Sequence, residues 1–95
     1  MFARVSTYKG SQTTSGGPSE DLVSRVLELP GCQAFYFLNG RGNGKSLSVA
    51  IYDNEEHLAA AKEAASKLRN EASSALTLEV LEVEEYEVVT NARND

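Results

Sequence analysis

Residues 32–52 read CQAFYFLNGRGNGKSLSVAIY, two runs of apolar and hydroxyl side chains on either side of a glycine-rich segment. Aromatic and β-branched residues favour strands, and the glycines supply the positive φ angles that tight turns need. The stretch therefore predicts a β-hairpin. A turn centred on Gly42 sets the register, and one nearly all-apolar face then pairs Phe37 with Leu47, Phe35 with Val49 and Gln33 with Ile51.

The opposite face of this hairpin carries hydroxyls rather than charges. It pairs Leu38 with Ser46, Tyr36 with Ser48, Ala34 with Ala50 and Cys32 with Tyr52. Such a mixed surface is expected to be covered, but not by an ordinary core.

A helical stretch flanks the hairpin on each side. Pro18–Leu29 opens with a proline suited to a first helical turn, and Pro30-Gly31 ends it. Asn54–Leu76 repeats apolar residues three and four apart, and Asp53 and Glu56 have the spacing of a capping box.

Strands are predicted at both ends of the sequence. Phe2–Lys9 alternates between two faces, and Leu78–Val89 is a longer run whose alternation slips, which predicts a bulge near Glu84-Glu85. Gly10–Gly17 is a polar connection. The order of strand, helix, hairpin, helix and strand over residues 1–95 predicts one α+β domain, with two helices on one face of a four-stranded sheet.

The second face of that sheet predicts a partner. Its residues, by the register above, are Phe2, Tyr8, Ala34, Tyr36, Leu38 and Tyr52. This is more apolar and aromatic surface than a monomer normally exposes to water. We therefore expect a homodimer with twofold symmetry, in which two sheets pack face to face.

Composition narrows the function classes. Nine basic and fourteen acidic residues give a net charge of −5, which disfavours nucleic acid and anionic membrane surfaces as partners. No apolar window approaches the roughly 18 residues that a membrane span needs. The single cysteine cannot form an internal disulfide, and the first residues alternate rather than form a signal peptide, so we expect a cytoplasmic protein.

The motif search excludes the P-loop signature of nucleotide-binding proteins. Gly44-Lys45-Ser46 resembles the end of a P-loop, but position 39 is asparagine where the first glycine must stand, and a strand follows instead of a helix.

Neither the cysteine nor the histidine has metal-ligand spacing, so no metal or cofactor is predicted. His57, near the start of the second helix, is a candidate base or a boundary residue with no chemical task.

Three tyrosines and an arginine are the stronger candidates for a binding site. Tyr8, Tyr36, Tyr52 and Arg4 place hydroxyls and a guanidinium on a covered sheet face, where they could orient an aromatic or enolic ligand. Dimer packing, with tyrosine hydroxyls bonded across the interface, explains the same pattern.

The chain resembles the antibiotic biosynthesis monooxygenase-like group of dimeric α+β barrels. The resemblance is carried by Phe2–Tyr8, Leu29-Pro30-Gly31-Cys32 and the hairpin, then Ile51–Leu58 and the terminal Glu85–Val89. It implies a ferredoxin-like βαββαβ protomer whose sheet pairs with another to form a barrel. It also implies cofactor-independent oxidation of a phenol or quinol by deprotonation and reaction with oxygen. Tyr52 stands where members often have tryptophan, and the chain has no tryptophan at all, which disfavours the haem-degrading branch.

Three functions remain open. The first is a dimeric barrel that binds a small molecule of unknown identity, with Arg4, Tyr8, Tyr36, Tyr52 and His57 as the residues to test. The second is a cofactor-free monooxygenase with His57 or a tyrosinate as base, and with Arg4 or Tyr52 holding the oxyanion. The third is a structural or interaction module without catalysis.

Overall fold

The elements of the computed structural model, which describes residues 1–10 and 17–94, follow the predicted order, with the second helix in two parts. They are β1 Phe2–Lys9, α1 Glu20–Leu27, β2 Cys32–Asn39, β3 Lys45–Tyr52, α2 Glu55–Ala60, α3 Lys62–Ala75 and β4 Glu79–Glu87. The central part of the predicted 10–17 connection lies outside the described residues.

The four strands form one sheet in the order β2-β3-β1-β4, with every neighbouring pair antiparallel. This order brings the first and third strands to the centre and leaves β2 and β4 as edges. With the helices packed over one face of the sheet, the predicted ferredoxin-like α+β fold is confirmed.

Side-chain caps begin the first two helices. Ser19 accepts a hydrogen bond from the Leu22 amide at 3.2 Å and caps α1. The cap of α2 is Asn54, which accepts from the His57 amide at 2.8 Å, so the capping box predicted at Asp53 is wrong by one residue. The Asp53 carboxylate instead bonds the His57 ring, which leaves the extended Asn54 to start the helix.

The hairpin register differs from the prediction by one residue over most of its length. Asn39 lies opposite Ser46 and Phe37 opposite Ser48, so the paired turn has an even length instead of being centred on Gly42. The Asn43 side chain accepts from the Lys45 amide at 3.0 Å and stabilises this longer turn. A one-residue shift exchanges the faces of one strand relative to the other.

A β-bulge at Gln33 ends this shifted register. Cys32 pairs with Tyr52 as predicted, but the next pair is Ala34 with Ile51, and Gln33 has no partner in the ladder. In a regular strand, residues three apart such as Cys32 and Phe35 would point to opposite faces. Because of the bulge, both pack against the core.

The two sheet faces are consequently not composed as predicted. Tyr8 and Tyr52, expected on the face away from the helices, are buried beneath the helices, whereas Tyr36 lies on the other face and is 56% exposed. The helix-covered face is called the inner face, and its strand residues include Arg4, Ser6, Tyr8, Phe35, Phe37, Ser48, Ala50 and Tyr52. The uncovered face is called the outer face, and it carries Val5, Thr7, Ala34, Tyr36, Leu38, Leu47, Val49 and Ile51.

Strand β4 also contains a bulge, at a different place from the one predicted. Thr7 pairs with Glu82 and Tyr8 with Val80, which leaves Leu81 as the extra residue. Glu84 and Glu85, the predicted position, pair regularly with Val5 and Arg4. Because of the bulge, Glu85 lies opposite Arg4 on the inner face and accepts a hydrogen bond from its side chain.

Candidate ligand cavity between the helices and the sheet

A small cavity separates the inner face from the helices. Side chains of β1, β2 and β3 form its floor. Its roof is formed by Val26 of α1 and by Ala65, Leu68, Arg69 and Ala72 of α3. Its volume is about 40 Å³. Small residues make this space: Ser6 and Ser48 on the floor and three alanines around it do not fill the gap that larger side chains would close.

Arg4 is the charged centre of the cavity. It is 4% exposed, and its Nη2 donates to the Leu58 carbonyl at 2.7 Å and to Glu85 Oε2 at 2.8 Å. Its guanidinium lies 5.6 Å from the centroid of the Tyr52 ring, a cation–π distance. Its buried Nη1 has no hydrogen-bond partner among residues 1–10 and 17–94. A donor of a buried cation is thus left for another acceptor.

Tyr52 provides the second unpaired polar atom. Its side chain is fully buried, and its hydroxyl has no hydrogen-bond partner in the described part of the chain. Burial raises the pKa of this phenol above its ordinary value of 10.0. Nearby Arg4 opposes that effect only in part, mainly through its positive charge and more weakly through a polar contact that lacks full hydrogen-bond geometry. The phenol is therefore neutral at physiological pH and acts as a hydrogen-bond donor rather than as a base.

Tyr8 and the two phenylalanines define the rest of the floor. The Tyr8 hydroxyl and Ser48 Oγ are 2.8 Å apart and form a buried hydrogen bond. The Tyr8 ring also contacts Phe37, with ring centroids 6.2 Å apart. The cavity thus combines an aromatic wall with hydroxyl groups, a lining that suits a small ligand with both apolar and polar parts.

A second space, called the outer pocket, adjoins the cavity. It has a volume of about 300 Å³ and is lined by Arg4, Lys62, Arg69, Val83 and Glu85. Arg4 and Arg69 line both spaces. The side chains of these two arginines therefore mark the junction between the inner cavity and the outer pocket.

The structure brings together three of the five residues predicted for the site. Arg4, Tyr8 and Tyr52 line the cavity, whereas Tyr36 lies on the outer face. His57 is not among the cavity-lining residues; its ring Nδ1 lies 2.6 Å from Asp53 Oδ1, and its side chain is 39% exposed. That hydrogen bond lowers the pKa of the Asp53 carboxyl, with the charge of His57 as a weaker contribution. The roles predicted for His57 and Tyr36 stay predictions.

Other ligating groups are few in the described ranges. The Cys32 thiol is partly buried, and burial raises its pKa, which makes it a poor nucleophile. Residues 1–10 and 17–94 contain no group of three or more His, Cys, Asp or Glu side chains that could hold a metal ion. No helix within the same ranges has the length and apolarity required to cross a bilayer.

Sequence reasoning missed several lining residues. Ser6 and Ser48 were placed on the wrong face, and Phe35 and Phe37 were given no role in a site, although serines in a strand are a usable sign of a polar cavity lining. The outer pocket left a weaker sign: Lys62 and Arg69 are seven residues apart, so they lie on one side of a helix.

Comparison with known proteins supports the fold. No family model matches the chain, and the search of curated proteins gives no significant match. Among solved structures, a Deinococcus radiodurans protein matches 100% of this chain and 98% of its own, with a TM-score of 0.64 and 16% identity. That protein is assigned as an antibiotic biosynthesis monooxygenase. The resemblance stated from the sequence is confirmed for the fold, since an identity this low carries the architecture and not the activity.

Proposed function

We propose that the protein is a homodimeric small-molecule-binding protein whose ligand occupies the cavity between the inner face and the helices. The observation that supports this most directly is the pair of buried polar atoms, Arg4 Nη1 and the Tyr52 hydroxyl, that lack partners in the described ranges while lining one cavity.

Unpaired buried polar groups are unfavourable. Each costs roughly 1 to 3 kcal/mol, and more when it is charged. A ligand oxygen placed near both groups would accept from Arg4 Nη1 and from the Tyr52 hydroxyl and would remove this cost. The aromatic side chains of Phe35 and Phe37 would contact its apolar part.

The size of the cavity limits what can bind there. One water needs about 10 to 15 Å³ of cavity volume, so a cavity of about 40 Å³ has room for roughly three waters or a group of similar size. A larger ligand extends into the outer pocket of about 300 Å³ or requires α3 to move away from the sheet.

The outer face supports the homodimer. Leu47, Val49 and Ile51 lie on this face at alternate positions of β3. Beside them, on β2, Tyr36 is 56% exposed and Leu38 is 48% exposed. The predicted face-to-face packing of two sheets therefore remains our proposal, although the residues on the face have changed. It would assemble the dimeric α+β barrel. The proposal includes a cytoplasmic setting, which the free thiol of Cys32 supports.

Titration with phenol, followed by amide NMR shifts, tests the cavity. We expect the amides of Ser48 and Ala65 to shift on addition of phenol, because both residues line the cavity. Tyr52→Phe should weaken this binding by about fivefold through loss of one hydrogen bond. Tyr36→Phe is the matched control, because it removes the same atom from an exposed ring and should leave the affinity unchanged. Shifts confined to other parts of the chain would contradict the proposal.

A second candidate is cofactor-independent oxidation of a phenol or quinol. It is favoured by one observation: the Arg4 guanidinium lies over the ring of the neutral Tyr52, 5.6 Å from its centroid, so two donors that can stabilise a developing phenolate oxygen are close together. Oxygen uptake with an anthrone or a quinol tests it. Turnover that is no faster than in buffer, or that survives in both Tyr52→Phe and His57→Ala, would remove this mechanism.

A further inference from the structure

We propose that the ligand is a small organic carboxylate, and that Glu85 occupies the place of its carboxylate group on Arg4 in the free protein. This inference rests on the proposed function and names the chemical class of the ligand. It follows from the charges around the outer pocket and from the geometry of the Arg4–Glu85 pair.

The outer pocket is positively charged in a negatively charged protein. Arg4, Lys62 and Arg69 contribute three positive charges to its lining and Glu85 one negative charge, a difference of +2. The whole chain has a net charge of −5. A local excess of one sign in a concave site attracts ligands of the opposite sign. The pocket is therefore suited to anions even though the protein as a whole repels them.

The positive charges lie at the entrance to the cavity. Lys62 and Arg69 are seven residues apart on α3, about two helical turns, and so project from the same side of that helix. Arg69 lines the inner cavity as well as the outer pocket. An anion held at this junction can therefore place the rest of the molecule in the cavity.

Glu85 is a replaceable partner for Arg4. Its side chain is 48% exposed, whereas that of Arg4 is 4% exposed. Only Nη2 of the guanidinium bonds Glu85, and Nη1 has no partner in the described residues. A guanidinium binds a carboxylate best through two parallel hydrogen bonds. A free carboxylate can adopt that arrangement, while Glu85 turns outward into water without a large desolvation cost.

The cavity determines what is attached to the carboxylate. Phe35, Phe37 and Leu68 provide apolar contacts, and the Tyr52 hydroxyl provides a single polar one. The volume of about 40 Å³ admits a short chain or part of a ring. The expected ligand is thus a monocarboxylate with a small apolar or aromatic body.

The experiment compares benzoate with benzamide, and hexanoate with hexanamide, by NMR titration of the intact protein. The members of each pair have nearly the same shape and differ in charge. We expect the carboxylates to shift the amides of Ser48, Ala65 and Leu68 and to bind at least about tenfold more tightly than the amides. Added salt should weaken binding of the carboxylates.

Three variants assign the effect to the pocket. Arg69→Gln should weaken benzoate binding several-fold and change benzamide binding much less, because only benzoate carries a charge. Lys67→Gln removes the same charge from the same helix outside both spaces and should change neither. Glu85→Gln should strengthen benzoate binding, because it removes the competing carboxylate, whereas Glu82→Gln on the same strand should not.

The outcomes separate this inference from the proposed function. If benzamide binds in the cavity as tightly as benzoate, the cavity remains a ligand site and the preference for carboxylates is overturned. If Glu85→Gln weakens benzoate binding, the displacement of Glu85 is overturned. If neither pair of compounds nor phenol shifts the cavity amides, both the inference and the proposed function fail.

Discussion

The inner and outer faces of the sheet differ in a way opposite to that of an ordinary monomer. The inner face lies beneath the helices, yet β1 and β3 present Arg4, Ser6, Tyr8, Ser48 and Tyr52 to it. The outer face has no helix over it, yet the same strands present Val5, Leu47, Val49 and Ile51. Burial of apolar surface would favour the reverse arrangement in a protein that folds and acts alone.

This inversion agrees with the two contacts that we propose for the sheet. Polar groups beneath the helices are costly unless they receive a partner, and apolar groups on an open face are costly unless they are covered. The proposed ligand would remove the first cost, and the proposed second copy of the chain would remove the second. One alternation pattern in β1 and β3 would then account for both proposals.

The largest expected effect is on the dissociation constant of the proposed dimer. Val49→Asp places a charge in the middle of the outer face, where Val49 lies between Val5 and Tyr36. Burying an unpaired carboxylate costs several kcal/mol, so the dissociation constant should rise by roughly a hundredfold or more. Sedimentation velocity over a range of protein concentrations measures this change.

Ala60→Asp, on an exposed position of α2, is the control for the dimer experiment and should leave the dissociation constant unchanged. A wild-type protein that is monomeric at micromolar concentration would contradict the assignment of the outer face to a second copy.

A smaller effect distinguishes two tyrosines of the inner face. Tyr8→Phe should lower the free energy of unfolding by about 1 to 2 kcal/mol, because it leaves Ser48 Oγ without its bond. Tyr52→Phe should leave the free energy unchanged or raise it by up to about 1 kcal/mol, because its hydroxyl has no partner to lose within the described chain.

Urea denaturation at one fixed protein concentration tests this contrast, since the proposed dimerisation would make stability depend on concentration. Equal losses for Tyr8→Phe and Tyr52→Phe would show that the Tyr52 hydroxyl is bonded in the free protein.

Alkaline titration offers a third test of the inner face. The pKa of Tyr52 is raised by burial, so its protonated form is favoured in the folded state. The unfolded chain releases this proton near pH 10 while the folded chain retains it, and stability therefore falls as the pH rises from about 10 through the higher folded pKa. Tyr52→Phe should remove this part of the alkaline loss, which tyrosinate absorbance and unfolding curves can follow together. An unchanged alkaline profile would contradict the assignment.

The smallest expected effect lies outside both faces. The hydrogen bond from His57 lowers the pKa of Asp53, so Asp53 contributes stability at pH values above its ordinary pKa of 3.8. This contribution is lost as the pH falls through the lower folded pKa. Thermal unfolding of wild type and Asp53→Asn between pH 2 and pH 6 should converge at the acid end of the range, about 2 units below the ordinary pKa. The pair is exposed, so the difference should be slight.

The sequence predicted the order and type of the elements, because their signals are local. Alternation marked β1 to the residue, and the glycines marked the turn between β2 and β3. Three- and four-residue spacing marked the long helix but not its break at Ala61, where an ordinary helix former adopts φ −81° and ψ −5°. Such a break depends on packing and leaves no sign in composition.

The faces were not predictable from the same signals. Both faces of β3 are compatible with burial, one because of Leu47, Val49 and Ile51 and the other because of Tyr52, and only the register with β2 relates the faces of the two strands. That register depends on the turn length and on the bulge at Gln33. Arg4, Tyr8 and Tyr52 nevertheless line one cavity, although on the face opposite to the predicted one, and their roles in binding stay predictions.

The bulge at Gln33 has a consequence for how such a protein could change its ligand. One extra residue lets Cys32 and the phenylalanines share the inner face, while Tyr36 faces outward. Deleting Gln33 would remove the bulge and keep these faces, whereas pairing Gln33 with Ile51 in a strand of unchanged length would turn Tyr36 inward and Phe35 and Phe37 outward. Loss of the bulge without loss of a residue would thus place a phenol beneath the helices and, in the same event, expose two phenylalanine rings on the opposite side of the sheet.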